Sequence, residues 1–461
     1  MYYFYGTVRS NKNTDVREFA TGGIARGHGT TPRPGTRFSA PIPSRPCPPV
    51  MPAGNRHNAR AAGTLGTEAR VLRIVGIDAL VCNAVMRNWI FVRVRTDVPG
   101  LVGYGEATLE WKTRGVVGTI EDLEPLLVGK DPRDIEHCMQ TMLKHGFWRL
   151  GVVGMSAVSG IEIALWDILG KALDEPVWRL LGGKCRDYLR VYTHLGMGEM
   201  GSVYETLEGE RLAEKGREVV EAGYDAVKVV PIPYTHYTAS NRDIDSVGRM
   251  LTGLRDAVGP DVDIMVDFHG RPASRHAALA YIEALAPCRP LFVEEPVPPE
   301  DVDGTAFLTA HSPVPIAAGE RLVGRREFAP AVARHAFNIA QPDICHTGGL
   351  SETKKIAALC ETAGIGMAPH NPLGPIAGVA ALHFGISTPN FIIQEEMVGA
   401  VPWYGDVVGW PIDRKPGRWD CPEKPGLGIE VNEAEIAKHP FEQEVLHTAN
   451  AVMPDGTIVD W

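Results

Sequence analysis

The feature that most limits what this chain can fold into is a recurrence. Six acidic or histidine positions, each closing a short apolar run, follow one another at intervals of 23 to 27 residues. The runs are IMVDFH with Asp267 and His269, LFVEE with Glu294, PIAAGE with Glu320, NIAQPD with Asp343, GMAPH with His370 and FIIQE with Glu395. One interval accommodates one buried strand and one helix, so the repeat predicts parallel strands whose ends gather at one mouth of a barrel. A single acidic residue after a strand is an ordinary loop residue. Six in phase set carboxylates and imidazoles around one opening, as a catalytic centre requires.

The chain of 461 residues has room for a barrel of about 250 residues and a second domain. Its net charge of −10 argues against a nucleic-acid face, which needs a basic surface to displace counterions. The eight cysteines are scattered, with no C-x-x-C pair, as expected of incidental thiols in a reducing cytoplasm. Cys345 and His346 adjoin Asp343, but two neighbours on one loop do not make a metal site. No apolar stretch is read as approaching the roughly 20 residues of a membrane span. Residues 1–68 are rich in Gly, Pro, Arg, Thr and Asn and lack the apolar core of a signal peptide, so they are expected to be a disordered extension.

Three strand patterns open the ordered part: VLRIVGIDALVC, NWIFVRVRTD and GLVGYGEA. Helical periodicity follows in VGTIEDLEPLLVG, in DIEHCMQTMLKHGF and from Met155 to Leu181, where Gly182 and Gly183 stop it. These elements predict an α+β capping domain over 69–187. LRVYTHLG and DAVKVV begin the repeat and bring the strand count to eight, a (β/α)7β TIM-like barrel over 188–403. The longer gap between Lys228 and Asp267 holds IPYTHYTASNRDID, an expected excursion at the barrel mouth. From 404 to 461 the chain is expected to return to the cap.

Asp267, Glu294 and Glu320 end consecutive strands, so their side chains can meet. Three carboxylates that close repel unless a cation neutralises them, and an all-oxygen set suits a hard ion such as Mg²⁺. Asp343 and His370 end the next two strands, and an Asp beside an imidazole fixes its tautomer and makes it a competent general base. His269 is expected on the same side of its strand as Asp267, because side chains alternate with period two, and is read as a proton donor. Lys228 is expected to offset charge on a substrate oxygen, and Glu395 to hydrogen-bond substrate from the other side.

In this order the residues resemble the enolase superfamily, its mandelate racemase subgroup and, more closely, the galactonate dehydratases within it. The resemblance runs from about Arg73 to Trp461 through NWIFVRVRTD, MSAVSGIEIALWDILGKALDEPVWRLLGG, VDFHGR, RPLFVEEPV, IAAGER, QPDICHTGG, APHNPLGPIA and KPGLGIE. It implies an α+β cap over a (β/α)7β barrel, with Mg²⁺ stabilising the enediolate formed on loss of the proton α to a carboxylate. By position it implies Asp267, Glu294 and Glu320 as metal ligands and Glu295 outside that set. It also implies Asp343 with His370 as the base dyad, His269 as the acid and Glu395 as a substrate contact. Racemases of the subgroup carry Lys-x-Lys at the second strand. Here the string is Lys228, Val229, Val230, which argues against a two-base racemisation.

The expected activity is therefore that of a hydro-lyase. It removes the C2 proton of a sugar acid and eliminates the 3-hydroxyl to give a 2-keto-3-deoxy acid, with Lys228 and Mg²⁺ stabilising the enediolate. The substrate is a small acid sugar read by cap loops around Asn83 to Trp89 and Phe147 to Met155, and the resemblance implies a homo-oligomer. The alternatives are a cycloisomerase or epimerase of the same superfamily, which loses no water, and a barrel that binds sugar acids without turnover, which would have lost its ligands. Deleting residues 1–66 is expected to leave activity and thermal stability nearly unchanged, since no packed backbone is removed. A marked fall of either in the truncated protein would show that the segment docks.

Overall fold

The computed structural model describes residues 72–195, 209–444 and 450–461. The extension expected over 1–68 lies outside them. Among the described residues the first element is an antiparallel meander of β1 (Ile74–Ala84), β2 (Arg87–Thr96) and β3 (Val102–Glu106). Three helices follow, α1 (Thr113–Leu127), α2 (Ile135–His145) and α3 (Gly151–Leu173). Val92, Val94, Val116, Ile120, Met139, Ile161 and Leu165 form one buried cluster between this sheet and these helices. Gly103 and Gly105 let α3 approach, since a Cβ on either would stand 2.0–2.1 Å from the carbonyl oxygens of Ala164 and Gly160.

Two expectations about α3 are corrected. It ends at Leu173 rather than Leu181, with Asp174 in the left-handed conformation, because Pro176 cannot donate to a continuing helix and restricts Glu175. Val177–Leu180 is a separate turn. The helix is also long and apolar enough to cross a membrane, contrary to the sequence expectation, yet most of it is buried between the cap sheet and the barrel.

Eight parallel strands follow: β4 (Tyr188–His194), β5 (Ala226–Val229), β6 (Asp263–Asp267), β7 (Phe292–Glu294), β8 (Ile316–Ala318), β9 (Ile339–Ala340), β10 (Gly366–Met367) and β11 (Gln394–Glu396). They pair in the order β11, β4, β5, β6, β7, β8, β9, β10, and a parallel bridge between Met367 and Phe391 joins the two ends into a closed barrel. Helices between the strands start where the sequence offers a cap. The Ser240, Ser274 and Asp301 side chains accept from the backbone N–H of Asp243, Ala277 and Gly304.

The barrel interior is filled by one residue per strand: Tyr192, Ala226, Met265, Phe292, Ala317, Ile339, Ala368 and Ile393. With period-two alternation, the position two residues later faces inward again, one layer nearer the mouth. That layer is His194, Lys228, Asp267, Glu294, Gly319, Gln341, His370 and Glu395. A dry apolar plug thus carries a polar layer directly above it.

Buried carboxylates of the cap hold the barrel helices. Glu162 of α3 accepts from the N–H groups of Leu350 and Ser351 at 2.8 Å, at the start of the helix Gly349–Thr362. Glu106 of β3 accepts from Gly374 and Ala377 at 2.8 Å, at the start of the helix Pro375–Ile386. Burial pushes both carboxyls up to about 7 against the pull of these donors. The C-terminal part packs on the cap, where Glu433 holds Arg93 and Tyr104, and Asn83 N–H donates to the His439 carbonyl. Replacing Glu162 with Ala strands two buried N–H donors. It should lower unfolding free energy by about 1–3 kcal/mol, read from the denaturant midpoint.

Candidate active site

Asp267 and Glu294 are the last residues of adjacent strands in direct register. Glu320 reaches the same point by a different route. β8 stops at Ala318, and Gly319 turns the chain with φ 134°, where a Cβ would meet Phe328 and the backbone of Gln341. One oxygen from each carboxylate lies within 4.8 Å of the others. Burial pushes the Glu294 carboxyl up to about 7, with the Asp267 charge adding to it. Burial, with Glu295 beside it, holds Glu320 well above its ordinary value. These directions describe the protein groups alone. Oε1 of Glu294 is buried and accepts no hydrogen bond from any described residue. Three converging carboxylates with a bare buried oxygen fit a hard divalent cation, and the donor set contains nothing soft.

Beside the triad, in the same layer, lies an ion-paired cluster. The Lys228 ammonium is 2.6 Å from Glu395, 2.9 Å from Glu294 and 3.3 Å from Asp267. His194 Nε2 stands 2.7 Å from the same Glu395 oxygen, and the other oxygen accepts from the Asn371 N–H at 2.7 Å. Burial opposes charge on these groups, but Lys228 and His194 hold Glu395 well below the usual carboxylate range, and the surrounding acids hold Lys228 well above its own. Both side chains are fully buried and neither lines the cleft. Lys228 is thus paired with Glu395, Glu294 and Asp267, and Glu395 with Lys228, His194 and the Asn371 N–H.

Asp343 caps the short helix Ile344–Thr347, its Oδ1 accepting from the Cys345 N–H at 2.7 Å, and its Oδ2 lies 2.8 Å from His370 Nδ1. That bond leaves His370 Nε2 turned to the cleft, 3.5 Å from Glu320. Burial disfavours the imidazolium, but Glu320 and Asp343 prevail and hold His370 well above its ordinary value. His269 Nε2 stands 3.2 Å from Asp267 Oδ2. It is not carried there by strand alternation, because the strand ends at Asp267. His269 has φ 51°, and its N–H donates to Asp267 Oδ1 in a tight turn. Glu295, also at positive φ, pairs with Arg321, which in turn donates to the His269 carbonyl.

Above the triad opens a cleft of about 640 Å³. Its barrel side includes His269, Glu320, His346 and His370. Met86, Arg87 and Val152 enter it from the two expected cap loops. Sequence reasoning missed the third cap contribution, Leu109 to Lys112, and the C-terminal Val459 to Trp461. It also missed His194 and Gln341, which the i+2 relation to the apolar ring would have found. Cys345 is buried beside Asp343, and His346 bonds Ser156 of α3 at 3.1 Å instead of joining the triad.

The sequence matches the family described as mandelate racemase / muconate lactonizing enzyme, N-terminal domain, over residues 80–182, and that described as enolase C-terminal domain-like over residues 211–435. The chain belongs to the mandelate racemase subgroup of the enolase superfamily. It is 37% identical over 393 residues to the D-galactonate dehydratase of Verminephrobacter eiseniae, covering 84% of this chain and 100% of that one. With the D-galactonate dehydratase of Xanthomonas campestris it shares 36% over 390 residues, covering 81% and 97%. Among solved structures it resembles the mandelate racemase/muconate lactonizing enzymes of Sulfitobacter sp. (34% identity, TM-score 0.75, covering 82% of this chain and 97% of that one) and Jannaschia sp. CCS1 (35%, 0.74, 81% and 99%). Members of this superfamily bind Mg²⁺.

Because Glu320 is raised by its neighbours, Glu320→Gln should keep or slightly raise the melting temperature of the metal-free protein. Mg²⁺ affinity, measured by calorimetry, should drop at least about tenfold, the lower end of losses seen even for changes outside the ligand set. Unaltered Mg²⁺ binding would remove Glu320 from the ligand set.

Proposed function

We propose that this protein is a Mg²⁺-dependent dehydratase of an aldonate, a sugar acid with hydroxyls at C2 and C3, releasing a 2-keto-3-deoxy acid. The observation that carries the reading is two histidines set against different members of one acidic triad, His370 beside Glu320 and His269 beside Asp267. One such group serves to take a proton and the other to return one. The relatives named D-galactonate dehydratase, matched nearly end to end, support the same reading.

Asp267, Glu294 and Glu320 would hold the cation, which when bound supplies fixed positive charge that orients the substrate carboxylate and acidifies the adjacent C2–H. His370 takes the C2 proton at Nε2, since its Nδ1–H is committed to Asp343. The electron pair left at C2 forms the C2=C3 double bond. His269 gives its proton to the C3 hydroxyl oxygen, the C3–O bond breaks with its pair, and water departs. The enol then tautomerises to the ketone. Lys228, beside the triad, pairs with Asp267, Glu294 and Glu395 and holds the carboxylates in place. Val230, buried and apolar, stands where a racemase of this subgroup carries its second lysine, which favours elimination over two-base racemisation.

Proton NMR of the substrate in D₂O separates the two histidines. His370→Asn should stop both C2 exchange and keto-acid formation. His269→Asn should keep exchange while elimination falls on the order of 10²–10⁴-fold, the usual worth of a general acid. Equal loss of exchange in both variants, with metal binding intact, would require the roles to be redrawn, and full activity after EDTA treatment would end the metal-centred reading.

A further inference from the structure

The C-terminal segment enters the cleft as a built element. Val452 and Ile458 form an antiparallel bridge around the Asp455–Gly456 turn, Met453 N–H donates to Thr457 at 2.8 Å, and Val459 N–H donates to Ala451 at 3.1 Å. Ala451 is buried. This small hairpin delivers Trp461, whose indole stacks on the His269 imidazole with centroids 5.1 Å apart and planes 27° from parallel. Trp111, at the end of the β3 loop, meets the same indole edge-on at 5.5 Å and 84°. Trp111 has φ 58°, a conformation costly for a bulky residue, so the fold spends strain on aiming this ring.

His269 is tied to Asp267 at two points. Its N–H is tied to Asp267 Oδ1 and its Nε2 lies beside Asp267 Oδ2, but rotation about the side-chain bonds needs a surface to stop it. Offset stacking supplies one, since two aromatic faces at this distance resist tilting. We propose that Trp461 is a positioning residue for His269: its flat face fixes the imidazole plane so that the proton is aligned with the leaving hydroxyl, with Trp111 bracing the indole from behind. The inference rests on His269 acting as the acid. It extends that reading to a residue outside the acidic triad and the Asp343–His370 pair. It also makes a segment distant in sequence from the barrel part of the elimination step and not of proton abstraction.

The test replaces Trp461 with Leu, which keeps apolar cover but has no flat face, and with Phe, which restores one. Both C2 exchange in D₂O and keto-acid formation are followed by NMR in the Mg²⁺-loaded protein, alongside Mg²⁺ affinity and melting temperature. Trp461→Leu should keep exchange and Mg²⁺ affinity while elimination falls by up to about 10²-fold, the scale of a misplaced catalytic group. Trp461→Phe should recover most of it. The proposal is overturned if Leu lowers exchange and elimination in proportion, or lowers neither, or if Phe behaves as Leu does. If the unsubstituted protein eliminates water from no sugar acid, the proposed function itself fails, a result visible before any variant is made.

Discussion

A single buried ammonium holds the acidic cluster of this site together. Lys228 touches Glu395, Glu294 and Asp267, and removing it would take away the one ammonium that these three buried carboxylates share. Removing one partner of such a cluster leaves the others charged and desolvated, which is far more costly than never having built the cluster. Placing Lys228 one layer above the apolar ring puts it within reach of all three acids while keeping it out of the cleft. On the reading proposed, a divalent cation would neutralise the three carboxylates that converge in the triad.

The same economy of contacts joins cap to barrel. α3 packs beside the turn that carries Asp343, and its Ser156, Ser159 and Glu162 bond His346, the Gly348 N–H and the N–H groups of Leu350 and Ser351. The backbone beside the Asp343–His370 pair is therefore held from the cap as well as from β9. The cap segments that line the cleft are thereby fixed against the barrel residues that line it. The backbone departs from relaxed geometry where direction matters most. His269, Glu295 and Trp111 all have positive φ, and each turns a side chain toward the cleft or its edge. Such strain persists only where the surrounding packing determines it.

The eight strands and their order were legible in the sequence because buried parallel strands leave continuous apolar runs at a regular spacing, and the family through the resemblance of the motifs at their ends. The polar residues of the second layer follow from period-two alternation once the ring residues are known. Sequence alone also placed Asp267, Glu294, Glu320, Asp343, His370 and His269 at one mouth, since each lies within three residues of a strand end. It misjudged the end of α3 because apolar periodicity continues through Val177 to Leu180, and only Pro176 marks the break.

What the tertiary structure alone decided is partnership. Lys228 and Glu395 read as two separate polar positions in the sequence, and only the structure pairs them, through inter-strand distances that no spacing encodes. His269 reaches Asp267 through a left-handed turn, where strand alternation predicts the same neighbourhood for the wrong reason. Trp111 and Trp461 are 350 residues apart in sequence and in ring contact in the fold. Spacing along the chain determines which residues share a strand end, because that relation is local and periodic. Which of them face the cleft and which lie beneath it depends on long-range packing of the C-terminal segment and cap against the barrel, and this leaves no period in the sequence to read.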